Sequence, residues 1–156
     1  MGEFRRGVRL ALDWGDARIG VAACDRDGLL AYPLDTVRAG PDELVRLGVI
    51  IAEQEPLEVV VGLPRSMSGT DGPAARKVRE RAAALAGTVA VPVRLVDERL
   101  TTVTASRRLR EGGKRAKQQR SVIDAAAAAA ILEQAVALER ARGEAPGELV
   151  SAPGAV

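Results

Sequence analysis

The chain has 156 residues, 47% hydrophobic and 28% charged, which is enough for one domain with a real core. It has no histidine and one cysteine, Cys24, which excludes Ser-His-Asp and Cys-His catalysis, Cys/His zinc sites and an internal disulfide. Aromatics are 2% (Phe4, Trp14, Tyr32), so the base-stacking platform of single-strand binders is missing, and a net charge of +2 says little about partners by itself.

Any chemistry must therefore rest on carboxylates, arginine, lysine, hydroxyls or a bound metal. The longest apolar run, "AAAAAAIL" at 125–132, falls short of the roughly 20 residues of a membrane span. The opening "MGEFRRGVRLALD" carries no adequate signal-peptide core. Together with the lone thiol, these features lead us to expect a cytoplasmic protein with no membrane partner.

In chain order, "VRLALD" predicts a strand ending at Asp13, followed by the turn "WGDA". "RIGVAACD" predicts a second strand and "RDG" a hairpin; "LLAYPLDTV" predicts a third strand, with Pro33 marking an edge or bulge. "PDELVRLGVIIAEQ", 41–54, has the acids and apolar spacing of a helix. "LEVVVGLP", 57–64, is apolar enough for a strand covered on both faces. A Gly/Ser loop then leads to a helix that opens at Pro73 and stops near Gly87.

"VPVRLVDER", 91–99, predicts the fifth strand, and "TTVTASRRLREGG" a helix closing on Gly112 and Gly113. "KRAKQQR", 114–120, reads as a basic loop before a long Ala-rich final helix. The expected architecture is α/β: a five-stranded mixed sheet, β-β-β-α-β-α-β-α-α, flanked by helices. Residues 1–142 form the one domain, and the Pro/Gly-rich 143–156 is expected to be a disordered tail. Ligand sites in open α/β sheets lie beyond the carboxyl ends of parallel strands, where Asp13 and Glu98 both fall.

Three acids sit where acids are costly. Asp13 interrupts a segment that otherwise wants burial, and an unpaired buried carboxylate costs several kcal/mol; an Asx-turn with Gly15 explains it as well. Alternation puts Val93, Leu95 and Asp97 on one strand face and Arg94, Val96 and Glu98 on the other. A solvated ion pair with Arg99 is the plainer account of Glu98. Asp124 shares a helical stripe with Ala128, Ile131, Ala135 and Leu138, so it points inward with an apolar face. A helix-dipole role would not require that face. If the three converge, they make an oxygen-rich cluster that needs a cation; Mg²⁺ or Mn²⁺ held there is the chemistry of metal-dependent phosphodiester hydrolysis.

Four blocks, "LALDWGDARIGVAACD", "VVVGLPRSMSGTDGP", "VRLVDERLTT" and "SVIDAAAAAAIL", occur in this order and resemble the YqgF family over roughly residues 8–140. This family is also called RuvX, and its members are described as Holliday junction resolvases or pre-16S rRNA nucleases. The resemblance implies an RNase H-like fold and, by motif position, Asp13, Glu98 and Asp124 as catalytic acids and metal ligands. It also implies a nucleic-acid partner: precursor 16S rRNA, with the ribosome as a further possible partner, or branched DNA. Gly15 is expected to leave room for the substrate backbone.

Arg18, Arg65 and Arg99 lie near the proposed edge as candidate phosphate contacts, with Ser66, Ser68 and Thr70 as hydroxyl donors. Lys114, Arg115, Lys117 and Arg120 form a basic segment before the Asp124 helix, read as a substrate-contacting loop. Two departures from the family pattern stand out. The turn after Asp13 reads Gly15-Asp16-Ala17-Arg18, which adds an acid, and Ala127 stands where RuvC-like enzymes often carry a fourth acid, leaving one or two metal ions open.

Two other functions compete. An ATP-binding phosphotransferase shares the first motif, but 156 residues give only one lobe and no Walker A sequence is present. A non-catalytic RNA- or ribosome-binding module is also compatible. A resolvase favours a symmetric homodimer, whereas an rRNA nuclease does not need one, so monomer and homodimer are both open.

Overall fold

The computed structural model describes residues 3–66, 68–100 and 116–152. Six strands form one mixed sheet: β1 (Leu10–Trp14), β2 (Arg18–Cys24), β3 (Ala31–Arg38), β4 (Val59–Leu63), β5 (Val93–Asp97) and β6 (Glu148–Leu149), in the spatial order β3-β2-β1-β4-β5-β6. The first three make the expected antiparallel meander, while β1, β4 and β5 run parallel. Pro33 falls on the edge strand β3, where the register slips between Val21 and Ala22. A missing amide N–H is tolerable at an edge and at a bulge.

Three helices are described: α1 (Glu43–Gln54), α2 (Pro73–Ala86) and α3 (Ala116–Arg142). Strand alternation gives the sheet two apolar faces. One carries Leu10, Leu12, Val59, Val61, Val93 and Leu95 and packs on Leu47 and Ile51 of α1 and on Val78, Ala82 and Leu85 of α2. The other carries Ala11, Ala22, Val60 and Val96 and packs on Ala127, Ala128, Ile131, Leu132 and Ala135 of α3. Small side chains on both partners of the second face bring α3 close to the sheet. The inward stripe through Asp124, Ala128, Ile131 and Ala135 is buried as its periodicity requires.

Two expectations change. The sheet has six strands, because Glu148 and Leu149 pair antiparallel with Leu95 and Arg94. The segment expected as a disordered tail thus returns to the sheet, and the Val150 N–H donates to the Val93 carbonyl at 2.8 Å. Gly147, at φ +71°, makes the bend that brings it back. The basic stretch is likewise not all loop: Ala116–Arg120 are the opening residues of α3. The helix expected over 101–113 lies outside the described residues.

A buried ionic cluster, not foreseen, closes the far end of α3. Glu139 accepts from Arg9 at 2.9 Å and from Arg5 at 2.6 Å, and Arg5 also reaches Glu58. Glu58 and Arg94 meet at 3.3 Å as an ion pair without hydrogen-bond alignment. Phe4 stacks between the guanidinium groups of Arg9 and Arg140, at 4.4 and 4.1 Å from its ring centre. Arg9, Glu58 and Glu139 are each about fully buried, so each charge needs the others.

Candidate active site

Two glycines flank β1 where the elements that carry the acids approach it. On β1, alternation turns Ala11 and Asp13 toward α3, and Asp13 pairs with Gly20 of β2. A Cβ on Gly20 would lie 1.9 Å from the Asp124 carbonyl oxygen, so the helix backbone rests directly on this strand. On the other side, Gly62 of β4 follows Val61, the partner of Leu12. A Cβ on Gly62 would lie 3.3 Å from the Glu98 Oε2 and 2.5 Å from the Ile131 Cδ1. Asp13 therefore stands on the central strand between two glycines, one covered by the Asp124 backbone and one faced by the Glu98 carboxylate.

All three acids are buried: Asp13 is 3%, Glu98 6% and Asp124 4% exposed. Glu98 opens a 3-10 turn, Glu98–Leu100, just past β5, on the face its alternation predicts. Asp13 and Asp124 line one cavity of about 470 Å³ with Trp14, Gly15, Pro64 and residues of α2. At Gly15 the tight turn itself also requires glycine: a Cβ there would meet the Arg18 carbonyl at 2.8 Å, and the Gly15 N–H donates to that same oxygen at 2.9 Å. The glycines that clear room around the acids are Gly20 and Gly62.

Arg18 Nε donates to Asp124 Oδ2 at 3.3 Å, so one expected phosphate contact sits on a proposed ligand. Arg65 and Arg99 brace the 64–72 loop. Arg65 pairs with Asp71 at 3.2 Å; Arg99 pairs with Asp97 at 2.6 Å and donates to the Ser66 carbonyl at 3.3 Å. Arg79 grips Asp71 as well, at 2.5 Å, and reaches Glu148 of β6 at 2.7 Å. The hydrogen bond from Arg79 holds the Asp71 carboxyl below the usual carboxylate range, and that from Arg99 does the same for Asp97. The Ser66, Ser68 and Thr70 hydroxyls bond to one another at 2.8 to 3.1 Å. Lys114 and Arg115 lie outside the described residues. Lys117 and Arg120 are on the first turns of α3, with side chains outside the description.

Asp16, the acid without a sequence rationale, has one here. Its Oδ1 lies 2.9 Å from Lys77 Nζ and 3.8 Å from Arg81 Nη1, both on α2. The Lys77 hydrogen bond holds its carboxyl below the ordinary value. Lys77 and Arg81 line the same cavity as Asp13 and Asp124. Sequence reading passed over them because the polar flank of a helix does not reveal which cavity it borders.

The donor chemistry suits a hard divalent cation: carboxylate oxygens, buried, on one face, in a chain without histidine. No three-acid group among the described residues is arranged to hold one, and Asp124 is engaged by Arg18. No described helix is long and apolar enough to cross a membrane.

A family model described as "RuvX: Holliday junction resolvase" matches residues 7–138. A Streptomyces coelicolor protein named "Putative pre-16S rRNA nuclease" is 60% identical over 148 residues, covering 93% of this chain and 89% of its own. A Nocardioides protein of the same name is 57% identical over 153 residues, covering 94% of this chain and 98% of its own. Among solved structures, Thermus thermophilus RuvC in complex with a Holliday junction substrate superposes with a TM-score of 0.59 at 19% identity. That match covers 89% of this chain and 99% of that one, a likeness of fold. The sheet order, the helix carrying Asp124 and these matches agree: the fold is RNase H-like, and the chain belongs to the RuvX family of nucleases.

Proposed function

We propose that this chain hydrolyses phosphodiester bonds in precursor 16S rRNA, with Asp13, Glu98 and Asp124 as the catalytic acids and the ligands of Mg²⁺ or Mn²⁺. The observation that carries the reading is the burial of three carboxylates on one sheet face, at the carboxyl ends of β1 and β5 and on α3, around two glycines that leave them room. Relatives named for the pre-16S rRNA substrate cover nearly the whole chain, which supports the substrate class. The lone, buried Cys24 suits work in the cytoplasm, where that precursor is found.

When bound, the ion supplies an activated water and neutralises charge at the scissile phosphate. The protein's part is positioning. Asp13 is fixed by the most interior strand, Asp124 by a helix backbone seated on Gly20, and Glu98 by the turn after β5. Arg18 donates to the Asp124 carboxylate, and a substrate phosphate would offer its guanidinium a second anionic partner. With no histidine in the chain, protons leave to solvent or to a carboxylate.

The test is cleavage of a precursor 16S rRNA fragment and of a four-way DNA junction, side by side, with Mg²⁺ or Mn²⁺ and with EDTA. RNA cleavage should fall at least about a hundredfold in Asp13→Asn, Glu98→Gln and Asp124→Asn chains, as loss of a metal ligand demands. Undiminished rates in all three variants would remove the site. Junction cleavage alone would favour the reading carried by the family description, and salt-sensitive binding without cleavage in any metal would leave a binding module.

A further inference from the structure

The basic pair on α2 has no part in the acid site as described, yet it borders the same cavity. Lys77 and Arg81 are one helical turn apart, so their side chains emerge on one face, next to the buried Val78. Together with Asp13 and Asp124 they line the 470 Å³ cavity, the cations on the α2 wall and the acids on the sheet and α3 side. Both cations converge on a single carboxylate oxygen, Asp16 Oδ1, and Arg81 also donates to the Gly15 carbonyl at 3.4 Å. Asp16 is itself mostly in water, its side chain 82% exposed.

An ion pair so exposed contributes little to folding. Its geometry is better explained by what it resembles: one anionic oxygen shared by a lysine and an arginine, beside a site that handles phosphodiesters. We propose that Lys77 and Arg81 form a phosphate subsite for a nucleotide flanking the scissile bond, and that Asp16 occupies it until a substrate phosphate takes its place. This rests on the nuclease reading above. In the free chain Asp16 keeps both side chains aimed into the cavity and masks their charge from passing polyanions. On binding, a phosphate oxygen replaces the carboxylate oxygen, and Asp16 turns to solvent.

The experiment measures binding apart from cleavage. A fluorescein-labelled single-stranded RNA is titrated with the full chain in EDTA, and fluorescence anisotropy is followed across a salt series. The Lys77→Gln/Arg81→Gln chain should bind more weakly, with the slope of log affinity against log salt shallower by about 0.7, the value for one lost phosphate contact on a single strand. Asp16→Asn should tighten binding several-fold in the natural chain and not at all where Lys77 and Arg81 are already replaced. That non-additivity separates a local displacement from a general change in charge.

Equal tightening in both backgrounds, or an unchanged slope in the double variant, overturns the subsite while leaving cleavage at the acids untouched. A natural chain that binds no RNA in EDTA overturns the subsite, while the nuclease reading stands or falls on cleavage with Mg²⁺ or Mn²⁺. All substituted side chains are at least partly in solvent, and a thermal melt of each variant confirms that the comparison is between folded chains.

Discussion

Adding a methyl group at Gly20 tests the central contact of the site. The new Cβ would lie 1.9 Å from the Asp124 carbonyl oxygen, 2.3 Å from its carbon and 2.8 Å from the Ala125 nitrogen. All three are backbone atoms, so no side chain can swing aside. To reach the shortest separation that real Cβ atoms tolerate, about 3 Å, the turn of α3 at Asp124 must retreat by about 1 Å. Such overpacking costs about 1 to 3 kcal/mol, partly offset by the 0.4 to 1 kcal/mol, roughly, that alanine gains by restricting the unfolded chain. The functional penalty should be larger, because a displacement of about 1 Å at a catalytic group can cost about a hundredfold in rate.

Urea unfolding followed by Trp14 fluorescence measures the first effect, and cleavage of the precursor RNA fragment the second. Gly48→Ala is the control: nothing lies within 4 Å of its added Cβ, and in helix α1 it should stabilise by about 0.5 to 1 kcal/mol without changing cleavage. A Gly20→Ala chain that unfolds and cleaves like the natural one would falsify the seating of α3 on β2.

Three further outcomes follow from the same structure. Burial pushes Glu139 up, but the hydrogen bonds from Arg5 and the charge of Arg9 outweigh it and leave the carboxyl below its ordinary range. Its stabilising contribution is therefore complete above the unfolded value of about 4.3 and is lost as pH falls through the lower folded one. Glu139→Gln should cost about 3 to 5 kcal/mol near neutrality, and urea titrations should show the gap to the natural chain closing below about pH 4. Gly147→Ala should release β6, because its Cβ would strike the Leu95 carbonyl at 2.1 Å in a backbone of φ +71°; hydrogen exchange at the Val150 amide should lose its protection. Burial raises the Cys24 thiol, so the folded chain should react with a disulfide reagent at about pH 8 far more slowly than the urea-unfolded chain.

What could be read in advance was whatever obeys a short period. The inward position of Asp124 follows from the 3.6-residue stripe, and the side of Glu98 from strand alternation, because both are local rules with burial behind them. Pro33 announced its edge for the same reason. Partnerships across the sequence were not legible. Asp16 looked unwelcome because its hydrogen-bonded cation, Lys77, lies 61 residues away on another element. The Arg5–Glu139 contact spans 134 positions and has no pattern to betray it. β6 escaped notice because two exposed residues flanked by Pro and Gly carry neither periodicity nor apolar weight. Gly20 and Gly62 read as ordinary strand residues; their purpose is visible only once α3 and the Glu98 side chain are laid against them.

The clamp at the far end of α3 also bears on when this enzyme comes into being. Arg9, beside the first strand, is neutralised by Glu139, near the end of the last described helix, and the same helix brings Asp124 to Asp13. Until that helix packs against the sheet, the face carrying Ala11, Val60 and Val96 stays uncovered, and Asp13 and Glu98 lack the third acid of the proposed site. One packing event thus completes both the core and the proposed site.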